Sequence, residues 1–235
     1  MTSQNATFGA SFGSIFMSGV RGYVKNIPAL SLAAAITLGS YLAFRFPAQS
    51  ALERDDLLVS IFLDLVGLTL GSIVAYPWYS YALSAADGQA VDIRRPFREW
   101  RRFGPQFVAS FWFWAGVLLG LRYLLGIPSI LVVVFYAFYG FIIADNSAET
   151  GLRALGTSVR LGEGKRIGLM AIAGLFLMFN LFGAIAVGFE VNALTIALAV
   201  AGLSVTTSIT MVAGARIYRL LQAGLEPGNR QGRKR

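Results

Sequence analysis

The chain has 235 residues, of which 56% are hydrophobic and only 14% are charged, whereas a soluble domain has about 25% charged residues. It contains no cysteine and no histidine, which excludes disulfides, thiolate chemistry and histidine as a metal ligand or general base. The net charge of +8 comes from cations beside apolar blocks, so it favours membrane topology over nucleic-acid binding. We therefore expect an all-α, polytopic transmembrane bundle without a cofactor or a metal.

The first predicted element is an amphipathic helix over about residues 9–25. Apolar residues recur there at helical spacing, while Arg21 and Lys25 fall on another face, so the helix is expected to lie on the cytoplasmic leaflet. Pro28 suits the first turn of a helix, where its missing N–H leaves no bond unmade. It predicts a first transmembrane span over about residues 28–44.

Five more apolar blocks are long enough to cross about 30 Å of hydrocarbon at 1.5 Å per residue. The block over residues 57–84 is longer than a span needs, so we expect it to tilt, to protrude or to kink at Pro77. Residues 106–144 are about twice the required length and must fold back, and Gly126 and Pro128 supply the turn. The predicted spans are residues 57–84, 105–125, 128–144, 167–188 and 193–215.

A short polar segment separates the fourth and fifth spans. Asn146 followed by Glu149 resembles a capping box, and Gly162 and Gly164 are typical of a helix end. Leucine and valine residues between them line one face. The segment is therefore predicted to form a second amphipathic helix at the cytoplasmic interface.

The positive charges predict the orientation. All lysines and arginines except Arg45, Arg54 and Arg122 flank the spans on the side of the two termini. The positive-inside rule then places both termini in the cytoplasm, and we assign the protein to the inner membrane of a bacterial cell. We expect one membrane domain over residues 1–225, followed by a basic, disordered tail over residues 226–235.

Two regions carry a family resemblance. The first is GSIVAYPWYSYALSAADGQAVDIRRPFREW, a glycine-bearing helix that ends in an Asp-Gly turn before a basic segment. The second contains Ile127-Pro128, an aromatic-rich span ending at Ala144-Asp145, and the residues Ala154, Leu155, Ser158, Gly164 and Lys165. Together they resemble the bacterial YciC-like membrane proteins and the membrane domain attached to some glycerophosphodiester phosphodiesterases. The resemblance implies six helices, with amphipathic helices before spans one and five, and it implies no catalytic residue.

Three polar residues in different spans are predicted to lie at similar depth: Asp64, Arg122 and Asn180. Counting along each helix puts them about 6–10 Å below the outer surface. Because an isolated charge inside the membrane costs about 2.5 kcal/mol or more, ionisable residues there usually pair. We predict an Asp64–Arg122 ion pair with Asn180 as a third member, acting either as a structural clamp or as a gate that faces the outer leaflet. Snorkelling of Arg122 to the interface is the alternative.

Small and hydroxyl-bearing residues inside the spans predict helix packing. Glycines four residues apart let helix backbones approach closely, and two such pairs occur: Gly67 and Gly71, and Gly116 and Gly120. Span six has five hydroxyl residues between 204 and 210. Their hydroxyls either bond within and between helices or line a polar pathway.

The loop after the second span is the most basic part of the chain. It contains Arg94, Arg95, Arg98, Arg101 and Arg102, interleaved with Phe97 and Trp100. Arginines in such a position attract anionic lipid headgroups by about 1 kcal/mol per cation. The alternative is that they serve only to set the topology.

The leading functional hypothesis is a non-catalytic integral membrane protein that packs with other membrane proteins or organises lipid. Its expected partners are the bilayer, anionic headgroups and other membrane proteins, not nucleic acid. The competing hypothesis is a permease for a small solute or lipid, which needs a continuous polar route through Asp64, Asn180 and span six. An enzyme is a third possibility, since Asp87-Gly88 resembles the opening of phosphoalcohol transferases. Those enzymes need further aspartates downstream, whereas Asp92 is followed only by arginines.

Overall fold

The computed structural model describes residues 11–123, 126–145, 148 and 150–225. This part of the chain is helical and contains no β-strand, so the predicted all-α class is confirmed. Its helices are α1 (Phe12–Lys25), α2 (Ile27–Glu53), α3 (Leu57–Val74), α4 (Tyr76–Ala86), α5 (Arg95–Arg98), α6 (Phe103–Tyr123), α7 (Ile127–Tyr136), α8 (Tyr139–Ala144), α9 (Gly151–Leu161), α10 (Arg166–Gly183) and α11 (Ala193–Leu225). Two 3₁₀ turns, Trp100–Arg102 and Ile185–Gly188, precede α6 and follow α10.

Six stretches of the described chain are long and apolar enough to cross a membrane, which makes this a multi-pass membrane protein. They are Ile27–Glu53, Leu57–Val74, Trp100–Tyr123, Ile127–Ala144, Arg166–Gly183 and Ala193–Gly224. The chain reverses between successive spans, so α1 and the carboxyl end of α11 lie at the same end of the bundle, and α1 packs against α11. We call this the basic end, and the end with residues 54–56 the opposite end.

Six helices form a closed ring in which each helix contacts the next. Their order around the ring is α2, α3, α6, α7, α10 and α11, and α11 contacts α2 again. The most extensive of these contacts joins α2 to α3, which follow one another in the chain. We call this arrangement the six-helix ring.

Two short helices, α4 and α8, fill the ring at its basic end. Every residue of α8 is buried, and so is nearly all of α4. The two helices contact each other, and the ring of Tyr79 lies so close to Gly140 that a Cβ at this position would overlap it. Tyr139 and Phe141 extend this aromatic core. The basic end of the ring is therefore closed by packed side chains.

The amphipathic helix α1 docks across two spans. Gly19 lies against the backbone of Ile209 in α11, and Phe16 makes an edge-to-face contact with Phe179 of α10 at 5.0 Å between ring centroids. The side chain of Ser11 caps the helix by accepting a hydrogen bond from the N–H of Ser14. The predicted helix is thus present, and it is fixed by contacts with α10 and α11.

The first span is longer than the sequence analysis predicted. Helix α2 continues through Pro47 to Glu53, whereas we expected it to end at residue 44. A single lost N–H is tolerated in a transmembrane helix because neighbouring groups adjust to it, so one proline did not end the helix. The correction places Arg45 inside a helix rather than in a loop.

Two features of the backbone lie at residues that the sequence analysis names: the turn at Gly126, and a break beside Pro77, which was one of the three alternatives for the long second span. The second predicted span is broken between Val74 and Tyr76, beside Pro77, and the chain reverses between α6 and α7 at Gly126. Gly126 has φ of 80°, a value that favours glycine. Its N–H donates to the carbonyl of Gly120 at 3.0 Å, which closes the end of α6.

A second break, which we did not predict, interrupts the fourth span at Ala137 and Phe138. Ser158 of α9 lies against this break. Its hydroxyl donates to the carbonyl of Phe135 at 2.9 Å and accepts from the N–H of Phe138 at 3.2 Å. Backbone groups freed at membrane depth need such partners, so a side chain of the amphipathic helix α9 completes the span.

Helix α9 starts after Thr150, whose side chain accepts a hydrogen bond from the N–H of Arg153 at 3.3 Å. It ends at Leu161, before Gly162. The predicted cap residues Asn146 and Glu149 lie outside the described residues, as does the predicted tail after residue 225. The helix itself agrees with the prediction.

Candidate functional site

Asp64 forms an ion pair with Arg45. The carboxylate oxygen Oδ2 of Asp64 lies 3.1 Å from Nη1 of Arg45, and the same nitrogen donates to Oδ1 at 3.3 Å. The Asp64 side chain is 17% exposed and that of Arg45 is 41% exposed. The pair therefore joins α2 to α3 with the acidic partner facing the helix contact.

The predicted Asp64–Arg122 pair is corrected by this contact. The side chain of Arg122 is exposed near the end of α6, and within the described part of the chain it has no ion-pair partner. Asp64 precedes Gly67 and Gly71 by three and seven residues, which places all three on one helical face, and that face lies against α2. Depth alone could not show this, because it does not give the direction in which a side chain points around its helix.

Asn180 is also separate from Asp64. Its Nδ2 donates to Oγ1 of Thr210 at 3.3 Å, which joins α10 to α11. Its Oδ1 is buried and has no hydrogen-bond partner among the described residues. The three residues predicted to form one cluster therefore lie at different places: Asp64 at the α2–α3 contact, Asn180 at the α10–α11 contact and Arg122 on the surface.

The four predicted packing glycines lie at helix contacts. Gly67 and Gly71 face Phe44 and Tyr41 of α2, and Gly116 and Gly120 face Val132 and Ser129 of α7. The approach is closest at Gly67 and Gly120, where an added Cβ would lie 2.5 Å from the neighbouring side chain. A further pair joins α10 to α11, because Gly183 and Gly202 meet backbone to backbone.

The five arginines between residues 94 and 102 divide into two groups. Arg102 lies 3.2 Å from Glu99 and donates to the carbonyl of Ala144 at 2.6 Å, so it ties the segment to the end of α8. Arg95 also contacts Glu99, at 3.5 Å. The other three, Arg94, Arg98 and Arg101, have exposed side chains that make no ion pair within the described residues.

A cluster of polar side chains at the basic end was not predicted. Nη2 of Arg219 lies 2.7 Å from Oδ2 of Asp87, and its Nη1 lies 2.8 Å from Oδ1 of Asp145. The hydroxyl of Tyr218 and the amide of Gln222 donate to Oδ2 of Asp145 at 3.0 and 3.2 Å. We call these five residues the Arg219 cluster. It joins the ends of α4 and α8 to α11.

The Arg219 cluster borders a polar cavity with a volume of 210 Å³. The other polar residues of its lining are Ser80, Ser84, Gln89 and Arg95. Both carboxylates bond to the guanidinium of Arg219, and charge-assisted bonds of this kind are strong. The described residues contain no group of three or more acidic, cysteine or histidine side chains placed to hold a metal ion.

The cluster could have been found only in part from the sequence. Asp87 belongs to the Asp-Gly turn and Asp145 to the motifs of the family resemblance, but they are 58 residues apart in numbering and no local pattern links them. Arg219 lies in a helical extension beyond the predicted end of span six at residue 215. A buried face on that extension is the signal that was available, since Ile217, Tyr218 and Leu221 follow a helical spacing.

Comparison with known proteins gives no further assignment. The chain matches no family model, no curated protein and no solved structure. The resemblance to the YciC-like membrane proteins accordingly remains a prediction from the motifs quoted above.

Proposed function

We propose that this is a non-catalytic membrane protein with a structural or accessory role, which packs with other membrane proteins or organises lipid. The observation that carries the proposal is the use of polar side chains around the six-helix ring. Each contact between neighbouring helices has its own polar or cation–π link. The links are Arg45–Asp64 (α2–α3), Gln106 to the carbonyl of Ser72 (α6–α3), Ser129 to the carbonyl of Val117 (α7–α6), Arg166 over the ring of Phe135 (α10–α7), Asn180–Thr210 (α10–α11) and Ser208 to the carbonyl of Leu30 (α11–α2).

This distribution supports a structural role over transport. A permease needs polar groups that follow one another along a path through the membrane. The polar links described above are instead distributed around the ring, at the contacts between neighbouring helices. Hydroxyls of span six are largely bonded within their own helix, as Ser204 is to the carbonyl of Val200 and Thr210 is to that of Thr207. The hydrogen bonds between helices of the ring are each expected to contribute about 0.6 kcal/mol to stability in a membrane.

A permease is the second candidate, and the polar cavity beside the Arg219 cluster favours it. The cavity has charged groups of both signs and a volume of 210 Å³, so a small polar solute fits its chemistry. The buried helices α4 and α8 separate it from the opposite end of the ring. Transport would therefore require these two helices to move.

Reconstitution separates the two candidates. Purified protein in liposomes should show no saturable flux of small ions, amino acids, sugars or fluorescent lipids above protein-free liposomes. Saturable flux that is lost in Arg219→Gln and kept in Arg216→Gln, an exposed arginine on the same helix, would overturn the structural proposal and establish the permease.

We also propose that the basic end faces the cytoplasm of a bacterial cell. All described lysines and arginines except Arg45, Arg54 and Arg122 lie towards this end, as the positive-inside rule requires. Because the chain has no cysteine, single cysteines can be introduced without background. In intact cells a cysteine at Gln49 should react with an impermeant thiol reagent, whereas cysteines at Ala90 and Gly224 should be protected. The reverse labelling pattern would invert the orientation.

A further inference from the structure

An apolar groove opens on the side of the bundle near the basic end. Leu32 and Ile36 of α2 form one wall, Pro77 of α4 forms the floor, and Ile93 and Phe97 form the other wall. The groove lies beside the break between α3 and α4, since Val74 and Pro77 both line it. Its volume is 460 Å³, within the range of about 300–1,000 Å³ for small-molecule sites.

The side chains of the groove walls are exposed on the outside of the bundle. Leu32 is 61% exposed and Phe97 is 60% exposed. Ile36 lies nine residues after the start of α2, so the groove extends about 14 Å from the basic end along that helix. This distance is about half the hydrocarbon thickness, as for a lipid chain of one leaflet.

The rim of the groove carries positive charge that the protein does not neutralise. Arg94 and Arg98 directly follow Ile93 and Phe97 in the chain, and Arg101 lies two residues before Phe103, which also lines the groove. Glu99 is held by Arg95 and Arg102. The side chains of Arg94, Arg98 and Arg101 have no ion-pair partner among the described residues. Asp92 accepts a hydrogen bond from the backbone N–H of Arg94 and is the other acidic residue of this segment.

We infer that the groove and its rim bind one anionic phospholipid, with an acyl chain in the groove and the phosphate against Arg94, Arg98 and Arg101. The guanidinium group suits this role because it can donate two parallel hydrogen bonds to a phosphate. Charge and apolar surface occur together here at the depth where a lipid has its headgroup and the start of its chains. This inference rests on the lipid-organising part of the proposed function and gives it a site.

The charge of the headgroup is tested by adding lipids to delipidated protein in detergent. Phosphatidylglycerol and phosphatidylcholine with the same acyl chains are titrated while the number of bound lipids is counted by native mass spectrometry. We expect one phosphatidylglycerol to bind at least about tenfold more tightly than phosphatidylcholine. Equal affinity for the two lipids would overturn the inference. Excess inorganic phosphate should not displace the lipid, and displacement would show that the site takes a free anion.

The position of the headgroup is tested with two matched triple variants. Arg94→Gln, Arg98→Gln and Arg101→Gln together should weaken phosphatidylglycerol binding about tenfold or more. The control replaces Arg21, Arg160 and Arg216, which are also exposed cations, with glutamine, and it changes the net charge equally. The control should keep wild-type affinity. An equal loss in both variants would mean that only the overall charge attracts the lipid, and the inference would fail.

The position of the acyl chain is tested by filling the groove. Leu32→Trp should displace the phosphatidylglycerol molecule while leaving the three arginines in place. Leu177→Trp is the control, because Leu177 is 62% exposed on α10, away from the groove. Unchanged binding in Leu32→Trp would remove the groove from the site. These results are independent of the flux experiment, so a failure of the lipid site can be told apart from a failure of the structural proposal.

Discussion

An ion pair between two helices neutralises the charge of Asp64 inside the bundle. Asp64 bonds to Arg45 across the α2–α3 contact. One turn further along α2, the side chain of Gln49 donates a hydrogen bond to Glu53 at 3.4 Å. A pair of this kind cancels charge that would otherwise be costly at membrane depth. Its value to the fold therefore depends on both partners being present.

We predict that Asp64→Asn and Arg45→Gln destabilise the protein in a coupled way. Either single change leaves one charge without its partner, so the double variant should lose less stability than the two single losses predict. Coupling energies between contacting residues are about 0.5–3 kcal/mol. The measurement is a double-mutant cycle of unfolding in detergent. Arg122→Gln is the control and should show no coupling with Asp64→Asn. If Asp64 were coupled to Arg122 and not to Arg45, the result would contradict the structure.

At the scale of helices, two features hold the spans together: close packing at glycines, and side-chain hydrogen bonds to backbone groups at a helix break. The α2–α3 contact depends more on Gly67 than on Gly71. A Cβ added at Gly67 would lie 2.5 Å from Phe44, whereas one added at Gly71 would lie 3.6 Å from Tyr41. The fourth span depends on a serine from another helix. Both features make the stability of a helix depend on its neighbour rather than on its own sequence.

The two glycines of α3 give a matched pair of variants. Gly67→Ala should destabilise the protein by about 1–3 kcal/mol, since the new methyl group has no room against Phe44. Gly71→Ala should change stability by less than about 0.5 kcal/mol, because 3.6 Å is ordinary van der Waals contact. Melting temperatures in mild detergent measure both. Equal losses in the two variants would argue against the close approach at Gly67.

Ser158→Ala is predicted to weaken the contact between α9 and the fourth span. It leaves the carbonyl of Phe135 and the N–H of Phe138 without the hydroxyl that both now bond. Leaving a buried polar group unpaired costs about 1–3 kcal/mol. Thr157→Ala on the same helix is the control, and it should be nearly neutral. Hydrogen exchange at Phe138 is the second measurement, and protection that survives in Ser158→Ala would show that another group replaces the serine.

For the whole molecule, the Arg219 cluster connects parts of the chain that are distant in sequence. One guanidinium bonds to Asp87 at the end of α4 and to Asp145 at the end of α8. These are the two helices that fill the ring, so the cluster fixes the core of the bundle to α11. The Arg219 side chain is 26% exposed, which gives the cluster contact with the solution at the basic end.

Arg219→Gln is predicted to lower stability by about 1.5–3 kcal/mol, the range for hydrogen bonds to charged groups. It also leaves two carboxylates side by side without their cation. Arg219→Lys should restore only part of the loss, because an ammonium group cannot bond to two carboxylates in the planar geometry of a guanidinium. Arg216→Gln is the control. Equal stability of the Lys and Gln variants would show that charge contributes little at this site.

The class of the protein and the order of its spans follow from the amino-acid sequence alone. Apolar blocks of sufficient length specify transmembrane helices wherever they occur in the chain. Gly126 and Pro77 specified a turn and a break, because their effects on the backbone are local. The glycines of α3 and α6 were found for the same reason, since their spacing places them on one helical face.

Which residues contact one another depends on the tertiary fold. Asp64 could be given a depth from its position in the chain, but its partner depends on the rotation of α3 and on the continuation of α2 past Pro47. The Arg219 cluster joins three segments through the packing of α4 and α8 inside the ring. The break at Phe138 persists because Ser158 bonds to it. Each of these depends on contacts between distant segments, and those contacts are set by how the helices pack together.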